Sequence, residues 1–313
     1  MRRKFPVAKS LALCLCVVPF MGQTCNVDLT FIVPASADSS ETTTAPMFNN
    51  SALIVNNQSG STRVVVDPGA TEAVISVTKT ALAEDQAAAD ALLAKISVEI
   101  ESPNGSNPDL VITATRPPEA DDSTSDVDFN FDNDEFNVTG IFQAKLVALV
   151  RLQITIPPGH AVQVIQGEGP VRTIGLDTTS SLTADHGSIR AIKSNANLSI
   201  TNNDGDINVE DHEGSLDVDG DIGEQRIELD GLAADGHVSL DNRIGTIHME
   251  IRKDLSADLD AVTQNGIVQF EAADFDAVSD VDQAPRHVTA RLNSGGPPID
   301  VINVNGGIRI EGD

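Results

Sequence analysis

Residues 197–211 read NLSITNNDGDINVED. Leu198 and Ile200 alternate with polar residues, Asn202-Asn203-Asp204-Gly205-Asp206 forms a turn, and Ile207 and Val209 resume the alternation. Period-two alternation sends one side of each run inward and the other into water, which is a strand pattern. The stretch is therefore strand, turn, strand.

Variants of this unit recur. They start near His160, Ser181, Asn197, Gly214, Gly236, Leu255 and His287, mostly 16 to 22 residues apart. Residues 274–286 read as an inserted loop before the last one. Each unit carries a glycine in or after its turn: Gly169, Gly187, Gly205, Gly223, Gly245, Gly266 and Gly295. A tight turn needs a positive φ somewhere, and glycine supplies it without steric cost. A unit this short cannot bury its apolar face alone, so units must stack. The pattern predicts an all-β chain over residues 151–313, a right-handed parallel β-helix or β-solenoid with consecutive coils pairing in parallel. A β-sandwich of antiparallel hairpins is the competing architecture; the near-regular repeat without a Greek-key connection weighs against it.

Composition fits stacked strands. The 313 residues contain no Trp, no Tyr and ten Phe, so the core must be built from Val, Ile, Leu and Ala. The net charge of −27 repels nucleic acid and anionic membrane surfaces. Arg2-Arg3-Lys4 followed by an apolar run to Met21 reads as a secretory signal, placed at residues 1–25. Cys25 follows the run where bacterial lipoproteins carry a lipidated cysteine, and Ala35-Ser36-Ala37 offers an alternative cleavage site. With Cys14 and Cys16 leaving in the signal, no internal disulfide is expected.

Residues 26–47 are rich in Ser and Thr and read as a flexible tether. Residues 48–150 read as a β region with one helix at residues 84–95 (EDQAAADALLAK). Residues 117–136 hold eight acids and no base and read as a loop. Asp126, Asp128, Asp132 and Asp134 are its candidate Ca²⁺ ligands, against the simpler reading of a solvated insertion.

The run VRLQITIPPGHAVQVIQGEGPV, with the later HGSIRAI, DGDINV, IGTIHM and NGGIRI, resembles the bacterial candidate-adhesin β-strand-repeat family, as does the earlier SALIVNNQSGSTRVVVDPG. The similarity spans roughly residues 48–312. It implies an exported protein with a β-helix-like body and an adhesin role, and carries no defined binding residues.

Catalytic and metal patterns are weak. Asn202, Asp204, Gly205, Asp206, Asn208 and Asp211 resemble part of a dockerin Ca²⁺ loop, but Ile200 stands at its first ligand position. Asp217, Asp219 and Asp221 begin like an EF-hand, with Ile222 where glycine is required. His160, His186, His212, His237, His248 and His287 show no zinc spacing and read as exposed turn residues, and G-x-S-x-G is absent. The expected function is a non-catalytic, adhesin-like surface-binding module of the cell envelope. Its partner would be a glycan, a protein or the producer's own envelope, with a membrane reached only through a lipid anchor. A periplasmic structural or regulatory protein and an extracellular polysaccharide-active enzyme are the alternatives. No cofactor is expected beyond Ca²⁺.

Overall fold

The computed structural model describes residues 35–104, 107–118, 120, 127–132, 135–140 and 146–313. The segment expected to be a secretory signal and the candidate lipidation residue Cys25 lie outside them.

The described chain opens with β1 (Ala35–Ala45), β2 (Leu53–Val66), β3 (Ala73–Ala83), α1 (Gln86–Leu93), β4 (Ser97–Glu101) and β5 (Leu110–Thr115). The segment expected to be a tether is thus an edge strand from Ala35 onward. β1 pairs antiparallel with β3 along its whole length. Hydroxyl contacts link the two strands: Ser40 to Thr78 at 2.9 Å, Thr42 to Ser76 at 3.0 Å, and Thr80 donating to Asp38 at 2.7 Å. The sequence hid this strand because only Ala37 and Ala45 are buried, so no apolar alternation was present to read. α1 is capped by Asp85, whose carboxylate accepts the Ala88 N–H at 2.8 Å. Its Ala89 packs against Ala37 and Ala83.

The acidic segment also contains strands. β6 (Val127–Asp132) and β7 (Glu135–Gly140) form a separate two-stranded antiparallel sheet. β8 (Val147–Ile156) then returns to the large sheet and leads into the repeats.

The repeats follow one plan, a strand in sheet I, a glycine turn, and a strand in sheet II. The pairs are β9 (Val162–Glu168) with β10 (Val171–Ile174), β11 (Ser180–His186) with β12 (Ile189–Ile192), and β13 (Leu198–Asp204) with β14 (Ile207–Glu213). Next come β15 (Leu216–Ile222) with β16 (Gln225–Gly231), β17 (Val238–Ile244) with β18 (Ile247–Ile251), and β19 (Ala257–Asn265) with β20 (Val268–Phe270). β21 (Val278–Ala284) and β22 (His287–Leu292) follow, and β23 (Pro298–Asn305) with β24 (Ile308–Gly312) completes the chain. Coil-to-coil pairing is parallel within each sheet, as a solenoid requires and a hairpin sandwich does not.

The apolar side chains stack in columns. Val55, Val164, Leu182, Ile200, Val218, Leu240, Val301 and Ala261 occupy one register position through eight strands of sheet I, and all are buried. Burying each large member contributes roughly 1.5–3 kcal/mol.

Coil order departs from the sequence at both ends. β17 and β18 pair not with the following β19 and β20 but with β23 and β24. β19 and β20 stack on the far side of that last coil. At the other end β2 runs through both sheets as one coil. It lies between β9 and β10 on one side and β5 and β8 on the other. The first and last complete coils are therefore intercalated.

Two further expectations need correction. The stretch from residue 274 is not a plain loop, because β21 pairs antiparallel with β22, and the unit starting near His287 is that antiparallel strand rather than a coil. The turn glycine of the last coil is Gly306, not Gly295.

Gly60, Gly169, Gly187, Gly205, Gly223, Gly245 and Gly306 all have positive φ, from 101° to 150°. A Cβ on Gly205 would overlap the Gly187 carbonyl oxygen, one on Gly223 that of Gly205, and so along the column to Gly306 on Gly245. Glycine is required here twice, by backbone conformation and by the close approach of the next turn.

Beside this column runs a buried polar one. Asn57, Gln166, Ala184, Asn202, Gly220, Asn242, Asn303 and Thr263 share one register position in sheet I. Asn202 donates to the carbonyls of Gly187 and Gly205 at 3.0 and 2.8 Å. Asn242 reaches Gly223 at 3.1 Å, Asn303 reaches Gly245 at 2.9 Å, and Thr263 reaches Gly306 at 2.8 Å. Turn carbonyls that face the interior thus find donors. At Gly220 the Gln225 amide enters from sheet II and fills the space a side chain would take. Asn202, which the sequence places in an exposed turn, is buried.

Candidate functional site

The outward side of sheet II carries a basic row. The residue three positions after each ladder glycine falls in one register line: Arg63, Arg172, Arg190, Asn208, Arg226, His248, Arg309 and, in the end coil, Gln269. Two residues further along each strand, the parallel row changes character. It reads Val65, Ile174, Ile192 and Glu210, is interrupted by a register shift after Val209, and resumes as Glu228, Glu250 and Glu311. The acidic half neutralises the arginines beside it. Arg190 donates to Glu210 through Nε and Nη2 at 2.9 and 3.0 Å, and Arg309 Nη2 lies 2.5 Å from Glu311. Glu228 is the register partner of Glu250; burial, and then Asp211, Asp230 and Glu250, push its carboxyl above the ordinary range. Asp230 is raised by burial and Asp211.

At the C-terminal part of this face three ligand-type groups converge. His248 and Glu250 stand two apart on β18, on one side of the strand, and Glu311 on β24 is the register partner of Glu250. His248 Nε2 lies 2.7 Å from Glu311 Oε1 and 3.7 Å from Glu250 Oε1. The His248 hydrogen bond, followed by Arg309, holds the Glu311 carboxyl below its ordinary value. A groove of about 310 Å³ opens beside His248, lined also by Thr246, Ile267, Gln269 and Arg309. Sequence reasoning missed this set because His248 and Glu311 are 63 residues apart and meet only through the intercalated coil. Its local trace is the matched spacing of His248-x-Glu250 and Arg309-x-Glu311 after their glycines.

Sheet I presents a different surface. Ser181 and Thr183, Ser199 and Thr201, Asp217 and Asp219, and Ser239 and Asp241 form four successive rungs in register. The line continues through Asp300 to Asp260. Part of this array, from Ser199 to Asp241, lines a shallow groove of about 200 Å³. Burial, and then the neighbouring Asp219, raise the Asp241 carboxyl. Asp217 and Asp219 thus belong to a flat grid rather than to the start of a calcium loop, and Asp221 is paired with Arg243.

Of the four candidate calcium ligands, Asp128 and Asp132 lie on β6 with backbones paired to Thr139 and Glu135, while Asp126 and Asp134 lie outside the described residues. The histidines are not uniformly exposed turn residues. His160 is buried, with Nδ1 2.9 Å from the Ser51 carbonyl oxygen. His212 is fully buried, with Nδ1 2.6 Å from Ser194 Oγ and Nε2 3.3 Å from the Ser215 carbonyl. A serine–histidine pair has the contact a nucleophile needs, but Ser194 and His212 are 1% and 0% exposed, so substrate cannot reach them.

Burial lowers the His212 pKa below that of a free imidazole. A His whose folded pKa is depressed keeps its full contribution above about pH 6.5 and loses it as pH falls through the folded value. The raised carboxyls of Glu228, Asp230 and Asp241 act oppositely. Their favourable contribution is present below the ordinary carboxylate range and lost as pH rises through the folded values. We expect a His212→Gln variant to keep the carboxylate trend and lose the acid-side decline. Thermal midpoints of both proteins from pH 7.5 to pH 4.5 check this; parallel curves would refute it.

No helix among the described residues is long and apolar enough to cross a membrane. No curated protein matches the chain. Several solved structures resemble it at low similarity. A candidate cell adhesion protein from Clostridium sporogenes is 11% identical, with a TM-score of 0.36, covering 88% of this chain and 100% of that one. A candidate adhesin from Bacteroides fragilis is 11% identical, with a TM-score of 0.32 and coverages of 88% and 97%. A candidate lipid binding protein from Parabacteroides distasonis is 12% identical, with a TM-score of 0.31 and coverages of 87% and 96%. The family model described as Toastrack DUF4097 matches residues 150–311, the repeats from β8 to β24. With more than half of its length matched, the chain belongs to the Toastrack DUF4097 family.

Proposed function

We propose that the chain is a non-catalytic, adhesin-like protein of the cell envelope that binds a surface ligand through sheet I. The observation that carries this reading is the flat grid of Ser181, Thr183, Ser199, Thr201, Asp217, Asp219, Ser239 and Asp241. Its rungs are about 4.8 Å apart, fixed by backbone pairing, so the donors and acceptors are pre-organised and lose little entropy on binding. Hydroxyls and carboxylates in such a grid suit a hydroxyl-rich glycan or a polar protein surface, with Ca²⁺ able to bridge carboxylates to ligand oxygens. The sealed Ser194–His212 pair supports a non-catalytic role. In this reading residues 1–25 direct export, and lipidation of Cys25 would anchor the protein.

The test is binding of the purified protein to immobilised glycans, matrix proteins and the producer's own envelope, with Ca²⁺ and with chelator. Saturable binding to a foreign surface that weakens at least tenfold in Thr201→Lys supports the reading. Binding confined to the producer's envelope would move the protein to a structural role, and equal binding by the variant would remove sheet I as the contact face.

A further inference from the structure

We propose that His248, Glu250 and Glu311 form a binding site for a borderline divalent transition-metal ion, with zinc as the best match to the donor set. The site goes beyond the surface-binding reading and stands independently of it.

Geometry carries the argument. The three ligand atoms lie within 4.8 Å of one another, the one His/Cys/Asp/Glu cluster among the described residues that meets this spacing. Nitrogen and oxygen ligands held about 2.1 Å from zinc in a tetrahedron sit about 3.4 Å from each other. The observed 2.7 Å and 3.7 Å separations from His248 Nε2 bracket that value, so sub-ångström side-chain shifts admit the ion. The supporting backbone is already rigid. His248 and Glu250 share one side of β18, and Glu311 stands opposite Glu250 in a parallel ladder. Arg309 holds the Oε2 oxygen of Glu311 at 2.5 Å and leaves Oε1 toward His248. This is how a neighbouring cation orients a ligating carboxylate.

Charge points the same way. Glu228, Glu250 and Glu311 are neighbours in one row, and like charges directly opposite each other on adjacent strands are unfavourable. Arg309 alone stands beside these three carboxylates, which leaves an excess of negative charge that a divalent ion offsets. The imidazole nitrogen separates this site from a calcium site, since Ca²⁺ and Mg²⁺ take oxygen ligands. Three protein ligands leave a fourth position for water or a donor atom of a bound molecule, and of the three His248 also lines the neighbouring groove.

The experiment is a calorimetric titration of chelator-stripped full-length protein with Zn²⁺ at pH 7.5, with Ca²⁺ in parallel. We expect one Zn²⁺ equivalent, at least tenfold tighter than Ca²⁺. Affinity should fall at least tenfold in Glu311→Gln and in His248→Gln, and remain unchanged in Asp300→Asn on sheet I. Co²⁺ bound to the wild-type chain should give the visible absorption of a four-coordinate centre, a readout that does not depend on any variant folding. Failure to bind Zn²⁺, equal affinity in the two ligand variants, or an octahedral Co²⁺ spectrum would each overturn the proposal. Each leaves the sheet I reading untouched, because that reading is tested by Thr201→Lys.

Discussion

Deleting residues 298–313 is expected to abolish cooperative folding rather than shorten the solenoid by one coil. In a sequentially stacked solenoid the last coil is a cap with one neighbour, and its loss costs one interface. Here β23 and β24 lie between β17–β18 and β19–β20. Removal breaks both interfaces and leaves a gap one strand wide, about 4.8 Å, between coils that do not otherwise pair. Ile299, Val301, Ile308 and Ile310, all at most 1% exposed, leave the core together. At roughly 1.5–3 kcal/mol each, their loss amounts to about 6–12 kcal/mol, which is comparable to the whole stability of an ordinary domain, about 5–15 kcal/mol. Circular dichroism melting and limited proteolysis check this. A truncated protein that melts cooperatively within a few degrees of the full chain would show that the intercalated coil is not needed.

The second large effect is expected at the glycine ladder. Gly205→Val places a β-branched residue at φ 139°, with its Cβ overlapping the Gly187 carbonyl oxygen. Backbone strain costs about 1–3 kcal/mol, and forcing atoms into a packed core about 1–3 more. At about 2–4 °C per kcal/mol for a domain of this size, the midpoint should fall by roughly 5–20 °C. Gly159→Ala is the control. Gly159 has φ 83°, but a Cβ there meets nothing within 4 Å. It should lose only the left-handed backbone term, roughly 1–2 kcal/mol. Equal losses at the two positions would mean that the stacking of the turns contributes nothing.

The solenoid was legible because its signals are local. Ile189, Ile207, Ile227 and Ile247 each head a sheet II alternation, and Gly169, Gly187, Gly205 and Gly223 recur every 18 residues. Coil order was not legible, since nothing within NGGIRI says which rung it will join. Register partners are chosen by the whole stack, and each candidate partner offers the same alternating pattern. Edge strand β1 escaped because Ser and Thr exposed on both faces leave no apolar period. The buried Asn column was misread as turn chemistry, because Asn202 beside Gly205 looks like any Asn-Gly-rich turn until the inward-facing carbonyls of Gly187 and Gly205 are seen. His248, Glu250 and Glu311 share the first difficulty, being joined by coil order alone.

The intercalated coils also decide how the molecule bears load. A pull entering through β24 meets strands held by backbone hydrogen bonds on both flanks, β24 between β18 and β20 and β23 between β17 and β19. Such strands cannot be peeled away one bond at a time as an outermost rung can. They must slide past two neighbours at once, with many bonds strained together. A pull transmitted from the N-terminal side into β2 meets the same arrangement, flanked by β9 and β10 and by β5 and β8. Force that enters through β2 or through β24 is therefore met by shear before either coil can unwind.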